Sequence, residues 1–238
     1  MAHYKLIACN VLWRELCHFA SLSPNTFDFF FLRQGLHNTP DVLRSELQAA
    51  IDSSKEGYDA ILIGYGLCSN GLAGIEARTT RLVTVKAHDC ITFLLGSKER
   101  YKEYFDSHPG TYWYSPGWID TGTQPSKERH DKLLQAYSDQ YGGENAQYLM
   151  DMEQGWFRQY SNVAYLDLGF GDTAVYRDYA KQCADWLKWK FDEPGGEDGL
   201  VRRFLNGDWD RESFLVVEPG RRIAATHDDG ILRVEGEG

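Results

Sequence analysis

Over residues 5–90, short apolar runs of strand length alternate with turn signals and one amphipathic helical segment. That alternation limits the folds open to the chain. Lys5–Cys9 (KLIAC), Phe27–Leu32 (FDFFFL), Ala60–Gly64 (AILIG) and Leu82–Ala87 (LVTVKA) each read as strands. Between the second and third runs, Thr39 suits a helix N-cap and Pro40 the first helical position. Val42, Leu43, Leu47, Ala50 and Ile51 then fall on one apolar face. Strands that alternate with helices need crossover connections and a parallel sheet. The expected fold is α/β, a mostly parallel open sheet with helices on both faces.

The later chain is more varied. Residues 106–126 are rich in Pro, Gly, Tyr and Trp, and read as a long ordered loop or a link between lobes. A helix-rich stretch over 127–160 follows, then a strand over Asn162–Leu168 and a helix over roughly 172–191. Ser213–Val217 reads as a further strand and Ile231–Val234 as a terminal edge strand. The expectation is a single α/β domain over 1–238 in two poorly separated lobes, 1–108 and 127–238. A faint echo pairs AILIGYGLC with AYLDLGFGD and LVTVKAHDC with FLVVEPGRR, but the intervals differ between halves.

Charge narrows the partners. Lys plus Arg is 25 and Asp plus Glu is 35, a net charge of -10. Nucleic acid and anionic lipid both call for a basic face, so neither is an expected partner. No apolar run approaches the roughly 20 residues needed to cross a bilayer. The N-terminus shows no basic stretch followed by a long apolar one, so the expected location is cytoplasmic. In that reducing setting the 5 widely spaced cysteines are thiols, ligands or nucleophiles.

Three of them fall at the ends of expected strands. Cys9 ends the first, Cys68 lies just past the third in GYGLCSNG, and Cys90 lies just past the fourth in AHDCI. Open parallel sheets bind ligands outside the carboxyl ends of their strands. Gly64, Gly66 and Gly71 let the backbone turn and approach a ligand, and Ser69, Asn70 and Lys86 are candidate cofactor contacts in the same segments. Three converging thiolates suit a soft metal or an iron–sulfur cluster with one position open. The structural alternative is three small buried side chains near strand ends.

Other motifs offer different chemistry. In His88-Asp89-Cys90, continued strand geometry would set His88 and Cys90 on one side, a workable zinc site with Asp89 orienting it. The plainer reading is a hydrogen-bonded loop histidine. Cys68 alone, on a strand, turn and helix, resembles a nucleophile elbow with His88 as base, although Asn70 stands where the second glycine belongs. Residues 169–174 fit G-x-G-x-x-A, with Asp172 expected as an N-cap. Tyr101, Tyr104, Tyr112, Trp113 and Trp118 read as a pocket lid or a packed seam.

GYGLCSNG, AHDCITFLLGS and PGTYWYSPGW, in that order, resemble the family catalogued as domain of unknown function 1638, over roughly residues 1–120. Family members usually carry Gly where this chain has Ser69, and often Pro-Arg where it has Val85-Lys86; Lys86 keeps the charge. The resemblance implies functional roles for Cys68, His88 and Cys90. It also implies, by association with corrinoid-dependent methyl transfer in anaerobic prokaryotes, a place in methyl or one-carbon metabolism. The leading expectation is therefore an enzyme with a 4Fe–4S-type cluster held by Cys9, Cys68 and Cys90. Its open iron would bind a small-molecule substrate, with His88 and Asp89 as acid/base or orienting groups. The alternatives are a zinc-thiolate methyltransferase-like enzyme, a non-enzymatic accessory of a corrinoid protein or methyltransferase, and a metal-free cysteine hydrolase. Cys17 and Cys183 are expected to be structural.

Overall fold

The apolar run of the first strand is continuous because both of its faces are covered, as in the middle of a parallel sheet. In the computed structural model, which describes every residue except Thr123, Glu237 and Gly238, this strand is β1 (His3–Cys9). Its Leu6, Ile7 and Ala8 are fully buried. The elements after it are α1 (Trp13–Ser21), β2 (Thr26–Leu32), α2 (Pro40–Asp52), β3 (Ala60–Gly64), β4 (Leu82–Val85), α3 (Ile91–Leu95) and α4 (Lys98–Ser107). Next come β5 (Thr111–Tyr114), α5 (Pro116–Thr121), α6 (Lys127–Tyr141), α7 (Gly143–Glu153), β6 (Asn162–Tyr165), α8 (Ala174–Leu187) and β7 (Lys190–Asp192). The chain closes with α9 (Gly199–Asn206), β8 (Phe214–Val217), β9 (Ile223–Ala225) and β10 (Leu232–Val234).

The chain divides into two compact units, one of residues 1–102 and 196–238, the other of residues 103–195. The expected second lobe over 127–238 is corrected, because its last part returns to the first unit. There β8 pairs antiparallel with β4, and β9 with β10. The FLVV segment is thus the antiparallel neighbour of LVTV, which removes the basis for the internal echo.

In the first unit the sheet order is β2-β1-β3-β4-β8, with the first four strands parallel. The fold is the expected mostly parallel α/β. The chain leaves β1 for β2, then crosses by α2 to β3 on the opposite side of β1. The carboxyl ends of β1 and β3 therefore flank a topological switch point, where open α/β sheets bind ligands. Leu43, Leu47, Ala50 and Ile51 bury the inner face of α2, but Val42 is exposed. Pro40 takes the first helical position as expected, whereas the Thr39 side chain makes no capping bond.

In the second unit, β5, β6 and β7 form a parallel sheet. Tyr114, Val163 and Tyr165 pack there on Ala180, Cys183 and Ala184 of α8. The aromatic Pro/Gly segment expected as a loop contains β5 and α5. Ser115 caps α5 by accepting the Trp118 N–H at 3.2 Å, and Pro116 sits where its missing N–H costs nothing. Among the described residues no helix is long and apolar enough to cross a membrane.

Candidate functional site

Three loops meet at the carboxyl ends of β1, β3 and β4, and each brings one buried cysteine. Cys9 is the last residue of β1. Cys68 stands in the turn after β3, and Cys90 immediately precedes α3.

The Cys68 turn is built under backbone constraint. Cys68, Ser69 and Asn70 have φ of 44°, 56° and 68°, three consecutive non-glycine residues in the left-handed region. Such conformations are costly and persist only where surrounding structure holds them. Here the Gly71 N–H bonds the Cys68 carbonyl at 3.0 Å. Arg44 of α2 ties the turn down, donating to the Asn70 carbonyl at 3.0 Å and the Ala73 carbonyl at 2.6 Å. Turns, not a helix, follow Cys68, so the expected nucleophile elbow is corrected and no helix N-terminus lowers its pKa. Ser69 and Asn70 are exposed on the outside of the turn.

The second and third loops are joined closely. The Leu67 N–H bonds the Ala87 carbonyl and the Cys68 N–H the His88 carbonyl, both at 2.8 Å. Gly66 lies against Asp89 so tightly that a Cβ there would stand 2.8 Å from its N, Cα and C atoms. Gly71 is equally confined, by Leu43 at 2.5 Å, and Gly64 by Ala8 at 2.5 Å. These glycines hold loops and strands together rather than opening a ligand path.

The thiols influence one another. Burial pushes the pKa of Cys9, Cys68 and Cys90 upward. Cys90 is raised further by charge on Cys9, Cys68 and Asp89, and Cys68 by Asp89 and Cys9. Tyr65 senses all three, after burial, and its hydroxyl is raised strongly. That hydroxyl lies beside Cys9 yet is buried with no hydrogen-bond partner of good geometry.

Asp89 is anchored on two sides. Its Oδ2 accepts the Tyr101 hydroxyl at 2.7 Å, and its Oδ1 the Ile91 N–H at 3.0 Å. Burial raises its carboxyl pKa, and these two bonds only partly oppose the shift. His88 stands differently. β4 ends at Val85, so strand alternation does not reach the His-Asp-Cys segment. His88 is exposed while Cys90 is buried, and the expected shared side is corrected. The contribution of His88 to the loop is its backbone carbonyl. Lys86 turns to a separate cavity, where its Nζ donates to the Arg211 carbonyl at 2.8 Å.

The remaining motifs fall elsewhere. Gly169 and Gly171 have open space around them, and Thr173, not Asp172, precedes α8. The Gly169 N–H bonds its own loop through Asp167 Oδ1 at 2.8 Å. Tyr112 packs with Tyr114, Trp118 and Tyr160 inside the second unit. Cys183 is part of that unit's core, its thiol pushed up to about 11 by burial. Tyr65 is the site residue that the sequence reading did not single out. The available signal was its place between a buried strand and a glycine before the cysteine.

Among the described residues, no group of three or more His, Cys, Asp or Glu side chains is arranged to hold a metal ion. Residues 31–205 match the family described as Protein of unknown function (DUF1638), and the chain belongs to that family. The matched stretch includes Cys68, Asp89 and Cys90 and begins after Cys9. No curated protein and no solved structure matches the chain.

Proposed function

We propose that this chain is an iron–sulfur enzyme of methyl, one-carbon or sulfur metabolism. Cys9, Cys68 and Cys90 would hold a 4Fe–4S-type cluster through three irons, leaving one open to a small-molecule substrate. One observation carries the reading: three buried thiols from adjacent strands gather at the switch point, where charge on Cys9 disfavours ionisation of Cys68, and charge on both disfavours that of Cys90. Without a cation they remain protonated and make poor nucleophiles, which weighs against a metal-free cysteine hydrolase. A coordinated cationic group reverses that balance, since metal binding deprotonates a thiol outright. The cluster, when bound, supplies a Lewis-acidic iron or an electron.

The chain's own residues do the rest. Asp89, its carboxyl pKa raised by burial, stands beside Cys68 and Cys90, and Tyr101 fixes the orientation of its carboxyl. Tyr65 offers its buried hydroxyl to the sulfur of Cys9. Asp89, rather than the exposed His88, is thus the acid/base group of choice. Zinc fits less well, because it asks for His88 beside two thiols. The family's association with corrinoid-dependent methyl transfer makes a corrinoid protein or its methyltransferase the proposed partner.

Anoxic reconstitution with ferrous iron and sulfide tests the reading, followed by electron paramagnetic resonance of the reduced protein. A cluster signal is expected, lost in Cys9→Ser, Cys68→Ser and Cys90→Ser and kept in Cys17→Ser and Cys183→Ser. Cyanide should alter the signal through the open iron. Full signals in all three ligand variants would overturn the proposal.

A further inference from the structure

The first unit contains a cavity of about 770 Å³ whose lining includes Lys86, Thr92, Lys98 and Arg203. Pockets of roughly 300–1,000 Å³ take small organic molecules. Two of its cations lack a carboxylate partner at close range. Lys86 spends one donor on the Arg211 carbonyl at 2.8 Å and makes no ion pair among the described residues. Lys98 spends one on the Asp229 carbonyl at 3.0 Å, and its nearest carboxylate, Glu99, is 3.9 Å away. An ammonium carries three donors, so each keeps capacity for an anion. Arg203, by contrast, is committed to Asp210 and Ser213.

A second, independent observation points to a ligand. Thr92 is 1% exposed, lines the cavity, and its hydroxyl has no hydrogen-bond partner. A buried hydroxyl left without a partner is unfavourable, and an acceptor within its reach would relieve it. The two lysines also repel: after burial, the charge on Lys98 is what most lowers the Lys86 pKa. Asp210 and Asp228 oppose that shift.

We infer that this cavity binds a small organic anion, with its phosphate or carboxylate between Lys86 and Lys98 and an oxygen on the Thr92 hydroxyl. Glu99, Asp208, Asp210 and Glu212 also line the cavity, so the remainder of the molecule faces polar, hydrogen-bonding surface. This site is distinct from the thiol cluster and does not depend on it, because its lining includes none of the three cysteines.

Calorimetric titration of the full chain with glycerol phosphate, succinate and inorganic phosphate tests the inference, with glycerol as the neutral control. Saturable binding of glycerol phosphate or succinate is expected, and the preferred probe tells phosphate from carboxylate. Lys86→Gln and Lys98→Gln should each weaken it tenfold or more, and Lys55→Gln should leave it unchanged. Thr92→Val should weaken binding without lowering thermal stability, since it removes an unsatisfied hydroxyl. Absence of binding tighter than about 1 mM for every anion would overturn the inference. So would affinities unmoved by the two Lys→Gln changes, or binding of inorganic phosphate alone.

Discussion

Replacing Gly66 with Ala should loosen the junction that brings Cys68 to Cys90. The new Cβ would meet three backbone atoms of Asp89 at 2.8 Å, none of which can rotate away. Ordinary contact begins near 3.4 Å, so the two loops must part by roughly half an ångström. Overpacking of this kind costs about 1–3 kcal/mol. Parting also stretches the hydrogen bonds from Leu67 to Ala87 and from Cys68 to His88, now 2.8 Å each, toward the limit of useful geometry. Losing part of each adds on the order of 1 kcal/mol. The total of about 2–4 kcal/mol corresponds to roughly 4–16 °C in melting temperature for a chain of this size. Scanning calorimetry reads the shift, and iron uptake on reconstitution should fall with it. Gly199→Ala is the control: nothing stands within 4 Å of its Cβ, so stability should hold or rise slightly. If Gly66→Ala melts with the unsubstituted protein and takes up iron equally, the close junction is not what assembles the thiols.

Three further outcomes follow from the same geometry. Because burial holds Cys9, Cys68 and Cys90 above the ordinary thiol range, iodoacetamide should modify them slowly at neutral pH in the metal-free protein and faster only in alkali. Rapid labelling of Cys68 at pH 7 in peptide mass mapping would contradict this. Asp89 has a folded-state pKa above its unfolded value, so its stabilising protonation is complete below the unfolded pKa and lost as pH rises through the folded one. Asp89→Asn should therefore flatten the fall of urea stability across that window, and an unchanged pH profile would refute the assignment. Tyr101→Phe removes the donor at 2.7 Å from Asp89 and should cost about 1.5–3 kcal/mol while raising the carboxyl pKa further. Carbon NMR of the Asp89 carboxyl reports that shift, and a pKa moving downward would count against it.

Much of the first unit was legible because its strands are short, apolar and bounded by turns. β3 falls on its expected residues, and the sheet rule then collects Cys9, Cys68 and Cys90 at one end. The rest depended on contacts distant in sequence. Leu82–Ala87 reads as one strand, but β4 ends at Val85; the Lys86 N–H makes one more bond across to the Ser213 carbonyl at 2.8 Å, and the chain bends from Ala87. That departure exposes His88 and sends Lys86 to another cavity. Residues 106–126 read as a loop because Pro116 and Gly117 look like breakers. Behind the Ser115 cap, the same proline starts a helix. The return of 196–238 to the first sheet rests on an antiparallel pairing with β4 that no local pattern encodes.

Iron, acid-labile sulfide and zinc, measured per chain on protein purified without oxygen, bear on the cluster proposal most directly. About four irons and four sulfides per chain, with a brown absorption band, are expected for a cluster held by three cysteines. About one zinc and no sulfide, or no metal in either purified or reconstituted protein, would remove the cluster from Cys9, Cys68 and Cys90.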